Sequence, residues 1–182
     1  MRWTLAALFM LAISPAAQAA VTVFGDGPER ACYIAAKTNI NPTEGLARCT
    51  EALATGLNHH DEAATLVNRG VLEHRLGRMD EAVADFDACL ALEPHQADAF
   101  LNRGAVLISL KRSEEALQDI EQGIALGVSE PAVGYYDRAI AEENLGRIAD
   151  AYRDYRRALA VAPYLVQASD ALKRFKVVPR NS

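Results

Sequence analysis

The feature that most restricts this chain is a segment that recurs three times at nearly constant spacing. Leu66-Val67-Asn68-Arg69-Gly70, Phe100-Leu101-Asn102-Arg103-Gly104 and Tyr135-Tyr136-Asp137-Arg138-Ala139 are variants of one motif, their arginines 34 and then 35 residues apart. Each copy continues with an alanine, an aspartate three positions on and a bulky residue beside it: Ala82-Asp85-Phe86, Ala116-Asp119-Ile120 and Ala151-Asp154-Tyr155. A period of this length belongs to stacked helix–turn–helix units, each unable to bury its apolar face alone.

Alignment on the arginines shows what each unit keeps. Leu76, Leu110 and Leu145 follow seven positions later, the small residues Cys89, Gly123 and Ala158 come further on, and Pro94 and Pro163 close two copies. Small residues at fixed spacing let two helix backbones approach, and the bulky ones fill the hollow beside them. Gly77 and Gly146 stand where a left-handed residue would end the first helix. Asp80 and Ser113 stand where a side chain would cap the second. Each unit is therefore expected to be two antiparallel helices of roughly 12–14 residues.

The run bulky, Gly/Ala, Ala, aromatic, Ala, Pro resembles the tetratricopeptide repeat and covers residues 63–163 three times. Glu73 and Glu142 depart from it by replacing the usual aromatic of the first helix, and the second copy lacks the closing proline. The resemblance implies an all-α, right-handed α-solenoid of stacked antiparallel helix pairs. The expected division is 20–62 for a degenerate N-terminal helical repeat, then 63–96, 97–131 and 132–163 for three units. A capping helix over 164–176 and a loose tail over 177–182 follow, the helix carrying Leu165, Ala168, Leu172 and Phe175 as an apolar stripe.

Residues 1–19 read as a secretory signal: Arg2 gives a positive end, an apolar run from Leu5 to Ile13 follows, and Ala17-Gln18-Ala19 is a small-x-small cleavage site. The expectation is cleavage after Ala19 and a periplasmic or secreted product, with no membrane insertion after cleavage. Loss of Arg2 would take the formal charge from −5 to about −6, an acidic balance that argues against nucleic acid as partner.

In an oxidising compartment the three cysteines need placing. Cys32 and Cys49 are 17 residues apart, the separation of Arg69 from Phe86. A disulfide between them would staple the degenerate first repeat, and two free core cysteines are the alternative. Cys89 falls at a small-residue core position and is expected to be an inert thiol.

The charged residues invite a chemical reading. Arg69 with Asp85, Arg103 with Asp119 and Arg138 with Asp154 share one spacing of 16 residues. One ion pair per unit, joining first helix to second, accounts for all three as structural pairs. His59-His60-Asp61-Glu62 offers no ligand set on one helix face. No nucleophile elbow, phosphate-cradling loop or Cys-x-x-Cys occurs. No enzyme, metal or cofactor is expected.

In such a stack the first helices line the concave side. Their free face is expected to present Asn68, Val71, His74 and Arg75, then Leu101, Asn102, Ala105, Ile108 and Ser109, then Tyr136, Asp137, Ile140, Glu143 and Asn144. The resemblance implies that Asn68 and Asn102 hold a bound peptide's backbone. Val67, Leu101, Val71 and Ala105 stand where lysines would clamp a C-terminal carboxylate, so that mode is not expected. The sequence thus points to a non-catalytic scaffold or adaptor of the cell envelope that binds an extended peptide or helix of a partner protein in its groove. A structural, self-associating envelope protein is the alternative.

Overall fold

The computed structural model describes residues 2–5, 20–22 and 26–178. Among these, eight helices pair as four antiparallel hairpins: α1 (Pro28–Thr38) with α2 (Pro42–Leu53), α3 (His59–Arg75) with α4 (Met79–Leu92), α5 (Ala97–Ser109) with α6 (Ser113–Leu126), and α7 (Pro131–Asn144) with α8 (Ile148–Val161). A short α9 (Val166–Leu172) packs on α8. Each second helix packs on the next hairpin's first helix, and α1–α3, α3–α5 and α5–α7 also touch. The first helices therefore line the inner side of the stack. The chain is an all-α solenoid.

The turns inside the hairpins follow from a left-handed residue after each first helix: Asn39 (φ 56°), Gly77 (φ 79°), Lys111 (φ 64°) and Gly146 (φ 73°). In the last three hairpins the next amide reaches back five residues, from Arg78 to the Glu73 carbonyl (2.9 Å), Arg112 to Leu107 (2.9 Å) and Arg147 to Glu142 (2.8 Å). This closure satisfies carbonyls that the helix end leaves open. It also leaves one residue before the second helix, so Arg78 and Arg112 take the N-cap positions without a side-chain cap bond. Asp80 and Ser113, expected as caps, instead lie inside the first turn of α4 and α6.

Packing within the hairpins explains the small residues. A methyl group on Gly70 would lie 2.8 Å from the Phe86 ring, and one on Gly104 would lie 2.6 Å from Ile120. Such distances exclude a side chain at either glycine unless the partner moves. In the first hairpin a Cys32–Cys49 disulfide occupies this place, both residues fully buried. Cys32 lies seven residues before its left-handed turn residue, as Gly70 does before Gly77, so it aligns with Gly70 and not with Arg69. The extra residue in its spacing is Asn41, a second left-handed position (φ 50°).

The C-terminal end departs from expectation. The capping helix stops at Leu172, and Phe175–Val178 forms strand β2, antiparallel to strand β1 (Arg2–Leu5) with Leu5 opposite Phe175 and Arg2 opposite Val178. Branching at Val177 and Val178 favours extended backbone over another helical turn. Phe175 still covers the end of the stack, its ring 5.6 Å from that of Tyr152 and 5.8 Å from that of Tyr155. Val177 and Val178 belong to the strand and not to a loose tail. Of the expected signal segment, residues 6–19, with most of the apolar run and the cleavage site, lie outside the described residues. No helix among the described residues is long and apolar enough to cross a membrane.

Candidate partner-binding groove

The inner face is built on α1, α3, α5 and α7. The long α3 begins at Asn58, whose side chain accepts from the Asp61 amide at 3.0 Å. Three turns on, Asn68 is fully buried. Its carboxamide is used twice by one residue of the N-terminal segment: the Val21 amide donates to Asn68 Oδ1 at 2.8 Å, and Asn68 Nδ2 donates to the Val21 carbonyl at 2.7 Å. Next to it the Thr22 hydroxyl donates to the Tyr33 phenol oxygen of α1 at 3.5 Å. Ala20 and Val21 pack on the apolar cluster that α1–α4 share. The backbone of Val21 thus already lies against Asn68.

The rest of the expected groove is more closed than a helix-face count implies. Val71, Leu101, Asn102, Ala105, Tyr136 and Asp137 are buried along with Asn68, while His74, Arg75, Ile108, Ile140 and Glu143 are half-buried. Ser109 and Asn144 are exposed. Leu101 and Tyr136, expected as exposed contact residues, are therefore corrected to core. Leu101 belongs to the α5–α7 cluster, and the Tyr136 ring lies 5.7 Å from that of Tyr155. The physical cause is the direct approach of successive first helices, which puts these residues into the seam between hairpins.

Two further expected contacts are engaged elsewhere. Arg75 Nη1 donates to the Ala36 carbonyl and ties α3 to α1. His74 Nε2 lies 3.3 Å from Ser109 Oγ, and burial pulls its pKa down to about 4, so it is neutral at pH 7. Asn68, Asn102 and Asp137 hold one position in three successive first helices and form an amide–amide–carboxyl row. Asp137 is 2% exposed, its Oδ2 is without a hydrogen bond, and desolvation pushes its pKa up to about 7.

The recurring arginines and aspartates meet, each in a two-pronged pair. Arg69 Nε and Nη2 donate to Asp85 at 2.7 and 2.6 Å, Arg103 to Asp119 at 2.7 and 2.8 Å, and Arg138 to Asp154 at 2.5 and 3.1 Å. Arg103 also reaches Asp87 of the preceding hairpin at 2.5 Å, and Asp154 accepts from Arg157 at 2.7 Å. Phe100 and Tyr135, three residues before their arginines, lie under the guanidinium groups at 5.6 and 5.5 Å. These pairs join the first helix of each hairpin to the second.

Glu73 and Glu142, at the positions where the repeat usually has an aromatic, sit buried beside these pairs, and desolvation raises both to about 7. Burial pushes the Cys89 thiol up to about 12, which keeps it protonated and unreactive. His60 pairs with Glu93 at 2.8 Å, and no group of three side chains able to hold a metal forms among the described residues.

Sequence reasoning missed the N-terminal segment. Its contact to Asn68 spans 47 residues and has no periodicity to reveal it. The one signal was the β-branched pair Val21-Thr22 ahead of the first helix, which favours extended backbone.

A stack of antiparallel helix hairpins that touch through successive first helices defines an α-solenoid. The family model described as tetratricopeptide repeat matches residues 57–96 and 97–126. Residues 57–126 of the chain thus carry tetratricopeptide repeats. The first such domain of human RPAP3 is 25% identical, with 64% of this chain and 90% of that one covered at a TM-score of 0.59. The second human RPAP3 domain, solved in complex with the HSP70 peptide SGPTIEEVD, is 24% identical over 64% and 96% of the two chains, with a TM-score of 0.59. MamA from Desulfovibrio magneticus RS-1 is 22% identical and covers 82% of this chain and 84% of its own, with a TM-score of 0.65. No curated protein matches the sequence.

Proposed function

We propose that this chain is a non-catalytic adaptor of the cell envelope that holds an extended segment of a partner protein along its inner face. The observation that carries this reading is the Asn68 carboxamide, which binds both the amide and the carbonyl of one residue, Val21, at 2.8 and 2.7 Å. Asn102 and Asp137 continue the row. The peptide complex of the RPAP3 domain is an instance of peptide binding by this fold. The signal-like start of the chain and the Cys32–Cys49 disulfide favour an exported protein, because such bonds persist in oxidising compartments. The self-associating alternative draws on exposed apolar residues near both ends of the stack, Ile40 (66% exposed) and Tyr164 (85%).

A photo-crosslinking residue at Ser109, on the inner side, and another at Glu121, exposed on α6, test the reading in cells that make the protein. The expected result is one partner captured from Ser109 alone. A peptide of the captured segment should then bind the purified protein and lose at least tenfold in affinity on Asn102→Ala. Equal capture from both sites, or adducts only between copies of this chain, would overturn it.

A further inference from the structure

The N-terminal segment is seated as a ligand would be, and this carries an inference that rests on the peptide-groove reading above. We propose that Ala20-Val21-Thr22 is a resident ligand of the Asn68 site, and that a foreign extended peptide binds there by displacing it. The recognition is of backbone: one carboxamide pairs with both polar groups of Val21, while Ala20 and Val21 lie half-buried on the α1–α4 cluster and Thr22 reaches Tyr33. The class of peptide the site accepts follows from these contacts. It is an extended stretch with a small residue, then an apolar β-branched residue that keeps its amide hydrogen, then a hydroxyl-bearing residue. Proline at the middle position is excluded, because it has no N–H to donate.

The tether sets how strongly the occupant competes. Val21 is seven residues from the start of α1 at Pro28, close enough for an effective concentration on the order of millimolar. A free peptide therefore binds with an affinity reduced by the fraction of molecules whose segment is out of the site. The groove is held shut by the chain itself, and anything that draws the N-terminus away opens it.

The test uses the full chain and a fluorescein-labelled peptide with the sequence of residues 20–26. Val21→Pro removes the amide donor without touching the helices. The expected result is at least tenfold tighter anisotropy-detected binding to Val21→Pro than to the parent, abolished when Asn68→Ala is added. In the parent, the Val21 amide should exchange with solvent at least tenfold slower than in the Asn68→Ala variant, checked for native helicity by circular dichroism. Equal affinity of the peptide for parent and Val21→Pro, absence of binding to both, or unprotected exchange of the Val21 amide would each overturn the inference. A parent dimer that becomes monomeric on Val21→Pro would assign the occupant to a second copy and overturn it too. A crosslinked partner peptide that binds parent and Val21→Pro alike would leave the groove reading standing and remove only this one.

Discussion

The first hairpin and the three that follow solve one packing problem by different chemistry. In α3–α4 and α5–α6 a glycine lies under a bulky residue, in α7–α8 Ala139 and Tyr155 share one buried cluster, and in all three an Arg–Asp pair joins the helices. In α1–α2 a disulfide takes the place of the small–bulky contact. The buried residues of α1 and α2 include no ionisable side chain, whereas the later hairpins bury Glu73, Asp85, Asp119, Asp137, Glu142 and Asp154. A covalent link does not rest on the burial of a bulky side chain, so it can hold the first hairpin of the stack by another means. The inner hairpins rest on burial, and desolvation there raises the pKa values of Glu73, Asp137 and Glu142.

The largest break in that comparison should come from Phe86→Ala. The ring is fully buried between Gly70 and the α3–α4 core, and its loss should lower stability by about 3–5 kcal/mol in urea titrations. A loss under 1 kcal/mol would mean that the small–bulky contact does not hold the inner hairpins.

Asp137→Asn should act in the opposite direction. With its native pKa near 7 against an ordinary 3.8, Asp137 keeps a proton that the unfolded chain releases between about pH 4 and pH 7. Stability should therefore fall as pH rises through that window and level off above it. The asparagine variant escapes this loss, so it should match the parent near pH 4 and exceed it by up to about 4 kcal/mol at pH 8. His74, buried neutral, works the other way as pH falls, but it is common to both proteins and cancels in their difference. An equal difference at both pH values would show that Asp137 is not the group titrating.

The contrast also explains what could be seen in the sequence. A period of 34–35 residues, with Gly77 and Gly146 at helix ends, exposes the hairpins because those constraints are local. Lys111 and Asn39 take the same left-handed turn without a glycine, since the closing hydrogen bonds and packing around a turn can outweigh its cost. The groove was less legible. A helical wheel tells which side of α5 Leu101 faces, but not how close α3 and α7 come, and that distance is what buries it. The occupant of Asn68 was invisible for a related reason: a contact between positions 21 and 68 depends on the path of the whole N-terminal segment.

The disulfide offers the sharpest test of equivalence. Removing it by Cys32→Ala with Cys49→Ala should cost about 3 kcal/mol, from the entropy of a loop near this length. The loss should be local, with amide exchange in α1–α2 rising by about a hundredfold and that in α5–α8 unchanged. The reciprocal change, Cys32→Gly with Cys49→Phe, installs the inner hairpins' solution at the aligned positions and should recover about half of the loss, since the ring gains apolar cover from the cluster that α1, α2 and α3 share. Deleting Asn41 in that variant would restore the 16-residue spacing of Gly70 and Phe86, and should recover more. If the glycine–phenylalanine pair recovers nothing with or without Asn41, the first hairpin is not a fourth unit under a different staple. Its helices would then be held by the covalent bond alone, and the repeat would begin at α3.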